Sequence, residues 1–153
     1  MKKLIYSTYI EKGYGYVVDK KFHDVGVVLH NHDFFEIELI VDAKNAFHIL
    51  NGKKRVIEKG SVYIINPSDI HCYEVGEKGY FDRYNIRFKQ DTVSENILAS
   101  VINTHCRCTL KDGDFETAVK LYEIAEHYYS DGSNVNNTTS EIISSDISFL
   151  KFL

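Results

Sequence analysis

The chain of 153 residues has no tryptophan, one proline and no long apolar run. A membrane-spanning helix needs about 20 consecutive apolar residues, so no such helix is expected. Residues 1–9 are too polar for the core of a signal peptide. With 44% hydrophobic and 26% charged residues, the composition excludes disordered, collagen-like and coiled-coil proteins. We therefore expect one globular, cytoplasmic domain that has no membrane partner.

Cysteine is also scarce. Cys72, Cys106 and Cys108 form an odd set without the spacing of a disulfide framework, which predicts free thiols in a reducing compartment. The Cys-x-Cys pair in residues 104–108 has no second Cys or His pair at zinc-finger spacing. We interpret this stretch as a connector between helices and expect no redox chemistry.

Basic residues are few in the second part of the chain. Residues 1–90 hold 14 basic and 12 acidic side chains, whereas residues 91–153 hold 4 basic and 10 acidic ones, a net charge of −6. Nucleic-acid binding draws most of its affinity from Lys and Arg side chains that neutralise phosphates. The acidic second part is therefore a poor DNA-binding surface by itself.

Short segments rich in Val, Ile, Tyr and Phe lie between glycines, a pattern typical of an all-β sandwich or barrel. The clearest turn is Asn51-Gly52, because this pair tolerates the positive φ angles of a type I′ hairpin. A second turn at Gly60 starts a strand that Pro67 ends, since proline cannot donate to a ladder. We predict strands near residues 4–10, 14–18, 25–32, 34–42, 45–50, 53–58, 61–66, 71–76 and 80–88.

After residue 90 the apolar residues recur at helical spacing. Residues 97–102 and 115–129 predict two helices, the second of which is opened by Asp114. Residues 140–153 predict a third helix, with an apolar end that lacks a cap for its last carbonyls. We interpret this end as a cut and expect the chain to be the N-terminal piece of a longer protein.

Three histidines and one glutamate have the character of a metal site: His30, His32 and Glu36, as His-x-His-x-x-x-Glu, and His71 shortly after Pro67. Imidazoles at i and i+2 on a strand point to the same side, and the carboxylate can join them. Three nitrogens and one oxygen suit Zn, Fe, Ni or Mn. The same side chains could line an effector pocket without a metal, or form a structural hydrogen-bonded cluster.

The parity of the next strand limits how this site can form. Phe35, Ile37 and Leu39 alternate with Glu36, so a straight strand with its apolar side on the core would turn Glu36 away from it. Either the chain kinks at Asp33, or the polar side faces a cavity. The sequence leaves both arrangements open.

The order of these motifs is similar to that of a known family. The chain carries two cupin-like motifs, Gly26-x3-His30-x-His32-x3-Glu36 and Gly60-x6-Pro67-x3-His71. More narrowly, residues 30–37, Asn51-Gly52, residues 59–71 and residues 84–88 resemble the sensor domain of AraC-type bacterial transcription regulators. The second motif is shorter than in most cupins, which also resembles the regulators.

The resemblance implies a mainly β fold: a cupin double-stranded β-helix, or jelly-roll barrel, over residues 1–90, followed by a C-terminal helical hairpin over residues 91–153. In that family the barrel binds a small effector, often a sugar, and the hairpin mediates homodimerisation. A C-terminal pair of helix-turn-helix motifs binds DNA, and we expect this domain beyond residue 153. The implied activity is regulation of transcription rather than catalysis.

The candidate effector-binding residues supply imidazole, carboxylate, hydroxyl, guanidinium and amide groups. They are His30, His32, Glu36, His71, Tyr73, Arg83 and Asn85. Arg83, Asn85 and Arg87 alternate with apolar residues, so a merely solvated face is the competing interpretation. No catalytic residue and no required cofactor are predicted; a divalent metal on His30, His32, Glu36 and His71 stays open. The alternative function is a metal-dependent cupin enzyme, such as a dioxygenase or sugar isomerase.

Overall fold

The computed structural model describes residues 2–4, 16–67, 69–92, 95–96, 99 and 107–130. The eight strands and the one long helix of these residues have the following bounds: β1 Lys2–Leu4, β2 Tyr16–His23, β3 Val27–His32, β4 Phe35–Leu50, β5 Lys53–Val56, β6 Ser61–Ile65, β7 His71–Phe88, β8 Arg107–Thr109 and α1 Asp112–Ser130. A short 3-10 helix, Gln90–Thr92, follows β7. Among the described residues, no helix is long and apolar enough to cross a membrane.

Two long strands organise the sheet. β4 and β7 pair with each other from Phe35 opposite Phe88 to Leu50 opposite His71. The first half of β4 also pairs with β6 and its second half with β5, while β7 pairs first with β3 and then with β2. The sheet thus bends across β4 and β7 into two layers. β1 extends one layer beside β3, and β8 extends the other beside β6.

The two layers face each other across an interior that is apolar at one end. A cluster of buried residues joins them: Ile40, Ala46, Ile57, Tyr63, Ile65, Tyr73 and Phe81. The ring of Tyr63 on β6 lies 4.6 Å from the ring of His48 on the second half of β4, measured between centroids. This contact brings opposite layers together, as a jelly-roll arrangement requires.

The outer face of one layer is covered by α1. Odd-numbered residues of β4 (Phe35, Ile37 and Leu39) pack in one buried cluster with Ala118 and Tyr122 of the helix. This burial explains why α1 forms, because an amphipathic helix gains most of its stability from the face that it packs against its neighbours. The helix predicted for residues 115–129 is confirmed.

Two turns follow directly from their residues. Asn51 and Gly52 have φ angles of 49° and 77°, and they connect Leu50 to its partner Lys53, so the predicted hairpin is confirmed. Gly60 has a φ of 82°, and a Cβ atom there would lie 2.2 Å from the carbonyl oxygen of Leu110. A residue with a side chain could not occupy this turn without moving the chain beside β8.

Two predicted strand breaks are wrong. Residues 34–42 and 45–50 form the single strand β4, and residues 71–76 and 80–88 form the single strand β7. The ladder resumes after two register shifts, one between Ile40 and Asp42 and one between Lys44 and Ala46, where residues 76–79 of β7 lie opposite Asn45. β-bulges absorb an extra residue without ending the strand, which the sequence pattern does not reveal.

Two further differences concern short polar stretches. Residues 19–23 continue β2 beyond the predicted strand at 14–18, and Arg107–Thr109 pairs with β6. Part of the predicted connector between helices is therefore an edge strand. The described cysteines, Cys72 and Cys108, form no disulfide bond. Of the predicted helix at 97–102 only residue 99 is described, and the third predicted helix lies outside the described residues.

Candidate functional site

A polar cavity of about 240 Å³ opens between β2, β3 and β7. Its lining comes from strands of both layers and from the N-terminal strand β1: Leu4, Asp19, Lys21, His23, Val27, Val28, His30, Glu36, His71, Tyr73, Arg83, Asn85 and Arg87. Such a concave site with several convergent polar groups is the usual form of a small-molecule pocket.

Six of the seven predicted effector-binding residues line this cavity: His30, Glu36, His71, Tyr73, Arg83 and Asn85. The seventh, His32, is 2% exposed and lies behind the wall, where its Nε2 atom is 3.5 Å from Oε2 of Glu36. Asn85 is 1% exposed. The interpretation of residues 83–87 as a solvated face is therefore wrong, and effector binding by these residues stays a prediction.

The structure shows how Glu36 reaches the interior although it alternates with the apolar residues of its strand. Glu36 and Glu38 are buried although they alternate with the apolar residues of β4, because both faces of this strand are covered. The odd-numbered face packs beneath α1, and the even-numbered face points between the layers. The chain also bends at Asp33 and Phe34, between β3 and β4. Both arrangements considered from the sequence are thus present together.

Backbone carbonyls orient the two histidines of β3. The Nδ1–H of His30 donates to the carbonyl oxygen of Val28 at 2.8 Å, and that of His32 donates to the carbonyl oxygen of Phe34 at 2.6 Å. These bonds hold each ring with its Nε2 atom turned away from the main chain. Metal-binding histidines have the same arrangement, in which the second ring nitrogen is held by an acceptor.

His71 is held from behind by His48. Nδ1 of His71 lies 3.3 Å from Nε2 of His48, and its own Nε2 atom lies 3.8 Å from Oε2 of Glu36. Both Nε2 of His32 and Nε2 of His71 are buried without a hydrogen-bond partner. Buried polar atoms without a partner are uncommon in folded proteins, and here two converge on one carboxylate.

Charge and burial act in opposite directions on this cluster. Burial alone would raise the pKa of Glu36, but the nearby His32 side chain, together with Arg83 and His71, holds it well below its ordinary value. Burial would lower the pKa of His32, but Glu36 raises it overall. Burial lowers the pKa of His71 to about 2. Glu36 is thus a carboxylate beside a neutral His71.

A second buried carboxylate lies next to the cavity wall. Glu38 accepts hydrogen bonds from the hydroxyl of Tyr73 and from the guanidinium of Arg83. Burial raises the pKa of Glu38, and the Arg83 charge opposes this rise. Asn85 donates to Oε1 of Glu36 at 3.2 Å. Because Arg83 and Asn85 are each tied to a carboxylate, their positions in the wall are set before any ligand binds.

Sequence reasoning missed the wall contributed by β2. Asp19, Lys21 and His23 line the cavity from alternate positions. These cavity-lining residues recur at every second position, which is the period of a strand. The residues between them are partly exposed to solvent and form no continuous apolar stripe, so the sequence pattern did not reveal this part of β2. Glu38 and His48 were also missed, as single polar residues inside apolar segments.

The chemistry of the donor set fits a divalent metal. His32, Glu36 and His71 each offer one ligand atom, and these atoms lie within 4.8 Å of one another. Two nitrogens and one carboxylate oxygen suit Zn and similar ions, whose bonds are about 2.0–2.2 Å long. His30 lies beside this group, with its ring centroid 4.2 Å from that of His71. The structure thus brings together three of the four predicted metal ligands, with the fourth adjacent.

Comparison with known proteins agrees with this architecture. The family model for the AraC-like ligand binding domain matches residues 12–120, and the chain belongs to this family. The HTH-type transcriptional activator RhaS of Escherichia fergusonii is 47% identical over 45 residues, which are 29% of this chain and 16% of that protein. The match therefore spans less than a fifth of the relative's length.

Solved structures with a similar fold include two cupins. The crystal structure of a cupin protein from Bacteroides fragilis is 20% identical, with a TM-score of 0.47, over 53% of this chain and 71% of that one. A Cupin 2 conserved barrel domain protein from Salinispora arenicola is 16% identical, with a TM-score of 0.44, over 52% and 67%. The family match and the sheet topology confirm the resemblance stated from the sequence and the mainly β fold class.

Proposed function

We propose that the chain is the effector-sensing domain of a cytoplasmic AraC-type transcription regulator, which binds a small molecule in the cavity between β2, β3 and β7. The cavity itself supports this proposal most directly. It is lined by buried polar atoms that lack partners within the described part of the chain, such as Nε of Arg83, Oδ1 of Asn85 and Nε2 of His71. Such atoms cost free energy until a ligand or water satisfies them.

The mixture of these atoms favours a hydroxyl-rich effector such as a sugar. Nε of Arg83 can only donate, whereas Oδ1 of Asn85 and Oδ1 of Asp19 can only accept. A hydroxyl group can donate to an acceptor and accept from a donor, so a polyhydroxylated molecule satisfies both kinds. Tyr73 adds an aromatic ring beside them.

The contact between β4 and α1 supports a route from the cavity to a dimer. β4 carries Glu36 on one face and Ile37 on the other, and Tyr122 of α1 donates to the carbonyl oxygen of Ile37 at 3.0 Å. Effector binding then stabilises one arrangement of barrel and helix. In this proposal residues 1–90 are the sensor barrel and residues 91–153 the homodimerisation segment, although β8 also joins the sheet.

Ligand-dependent unfolding tests the sensor function. The chain is unfolded in urea with each member of a panel of neutral sugars, sugar acids and other small polar metabolites. A bound effector at about one hundred times its Kd should raise the free energy of unfolding by about 2.7 kcal/mol. Asn85→Leu should abolish the rise, while Gln90→Leu, which removes an exposed amide outside the cavity, should keep it. A rise that survives Asn85→Leu would contradict binding in this cavity.

The regulatory role has a separate test. The reading frame after the codon for Leu153 should encode two helix-turn-helix motifs with basic recognition helices, and effector should change the DNA affinity of the longer protein. A stop codon directly after Leu153 would contradict the regulatory role but not effector binding.

The cluster of His32, Glu36 and His71 favours a second candidate function, a metal-dependent cupin enzyme. These residues would hold the ion, which would supply Lewis-acid chemistry when bound, while Asn85 orients the carboxylate. Metal content near one per chain that is lost in His32→Ala, together with turnover of a substrate, would favour this function. Metal binding without turnover would assign the ion to effector binding.

A further inference from the structure

Two cations face each other on the cavity wall formed by β2 and β7. Lys21 lies directly opposite Arg83 in the antiparallel register, and both side chains line the cavity. Like charges at directly opposite positions destabilise a sheet. The pair is therefore an unfavourable contact, and an anion between the two side chains would offset the repulsion.

The neighbouring carboxylates leave one of these charges uncompensated. Arg83 is paired with Glu38, Arg87 is paired with Asp19, and Glu36 is surrounded by histidines and Asn85. No ion pair joins Lys21 to any residue in the described part of the chain. Arg83 also keeps its buried Nε–H without an acceptor, although Glu38 occupies the other edge of the guanidinium.

The lowered pKa of His23 reflects burial and the excess of positive charge on this wall. It lines the same wall two residues after Lys21, and its ring stacks on Phe81 with centroids 4.5 Å apart. Burial and the charges of Arg83 and Lys21 lower the pKa of His23 to about 4, and its buried Nε2 atom has no hydrogen-bond partner. An anionic group beside these residues would offset the charges of Arg83 and Lys21.

We propose that the effector is an acid, such as a sugar acid, whose carboxylate binds between Lys21 and Arg83 and beside His23. This inference rests on the proposed sensor function and adds the charge of the ligand. A carboxylate suits the site because a guanidinium edge and an ammonium group can donate to its two oxygens. The hydroxyl-bearing part of the molecule then extends toward Asn85, Glu36 and His71, within the cavity of about 240 Å³.

Matched acids and neutral sugars test this assignment. Galacturonate, glucuronate and gluconate are titrated into the chain beside galactose, glucose and sorbitol, and binding is followed by the NMR resonances of the His23 ring. At least one acid should bind saturably and about tenfold or more tightly than its neutral counterpart, and added salt should weaken the acid alone. Lys21→Met should remove this preference.

The adjacent Lys20 supplies the control. It lies on the other face of β2, 3.6 Å from Asp82, so Lys20→Met changes the net charge equally but leaves the cavity unaltered. Equal loss in both variants, or equal affinity for an acid and its neutral partner, would overturn the carboxylate site. So would the absence of any acid-dependent shift at millimolar concentration. A neutral sugar that binds alone would overturn this inference and keep the proposed function.

Discussion

Tyr122 of α1 donates a hydrogen bond of 3.0 Å to the main-chain carbonyl of Ile37, on the strand whose opposite face carries Glu36. Tyr122 is 1% exposed, and burial raises the pKa of its hydroxyl far above the ordinary value, so this group is a permanent donor. The bond fixes the helix to the strand that forms part of the cavity wall. A displacement of β4 on ligand binding would therefore reach α1 through a buried contact.

Removing this bond should cost stability. Tyr122→Phe leaves the carbonyl of Ile37 without its donor and should lower the free energy of unfolding by about 1 kcal/mol. Tyr122→Ala also opens a cavity and should lower it by about 3–5 kcal/mol. Urea unfolding measures both values. Tyr80→Phe, which removes the exposed bond to Asp42, should change stability by less than about 0.5 kcal/mol; an equal loss there would contradict the role of burial.

The pair of Glu38 and Arg83 should behave as a buried ion pair. Glu38→Gln leaves the Arg83 charge uncompensated next to the cavity and should lower the free energy of unfolding by about 3–5 kcal/mol. The double variant Glu38→Gln with Arg83→Met removes that charge as well and should recover much of the loss. Denaturation of these two variants and of the single variant Arg83→Met gives the coupling energy. Additive losses would show that the two side chains do not depend on each other.

Replacing each of two glycines by alanine should change the stability of the chain in opposite directions. Gly60→Ala places a Cβ atom at a φ of 82° and against the carbonyl of Leu110, so it should destabilise the chain by more than about 1 kcal/mol. Gly113, near the start of α1, has open space around its Cα atom. Gly113→Ala should stabilise by about 0.4–1 kcal/mol because alanine restricts the unfolded chain. Thermal unfolding distinguishes the two; equal effects would exclude the backbone explanation.

The contribution of His23 to stability should fall in mild acid. The pKa of His23 is lowered to about 4 in the folded chain from an ordinary value of 6.5, so the unfolded chain binds more protons between these values. The contribution of His23 to the free energy of unfolding is fully present above pH 6.5. It decreases as the pH falls and reaches its minimum near pH 4. His71, lowered to about 2, acts in the same direction.

The contribution of His23 can be isolated with His23→Phe, which keeps an aromatic ring to stack on Phe81 but does not titrate. Its free energy of unfolding should depend less steeply on pH between about 4 and 6.5 than that of the unmodified chain. Urea unfolding at a series of pH values measures the slope. An identical slope in both proteins would show that His23 is not buried as a neutral ring.

Much of the candidate site could be predicted because its residues follow local rules. The spacing of His30, His32 and Glu36 and the position of His71 after Pro67 were visible in the sequence, and so was the turn at Asn51-Gly52. These features depend on neighbours a few residues away. The structure adds the distances that bring His32, Glu36 and His71 together.

The rest depends on pairing between distant segments. His48 reaches His71 across 23 residues, and Glu38 reaches Arg83 across 45, because β4 and β7 pair along nearly their whole lengths. The bulges that keep these strands continuous set the register, and no local pattern specifies it. Lys21 was missed for the same reason, since its importance comes from lying opposite Arg83.

The alternation along β4 separates two kinds of contact on a single strand. Ile37 and Leu39 pack in the buried cluster with α1, while Glu36 and Glu38 face the interior beside the cavity. A substitution at Glu36 therefore alters the cavity wall directly and reaches α1 only through the main chain of β4. β4 is thus a partition one strand thick between the polar cavity and the apolar contact with the helix.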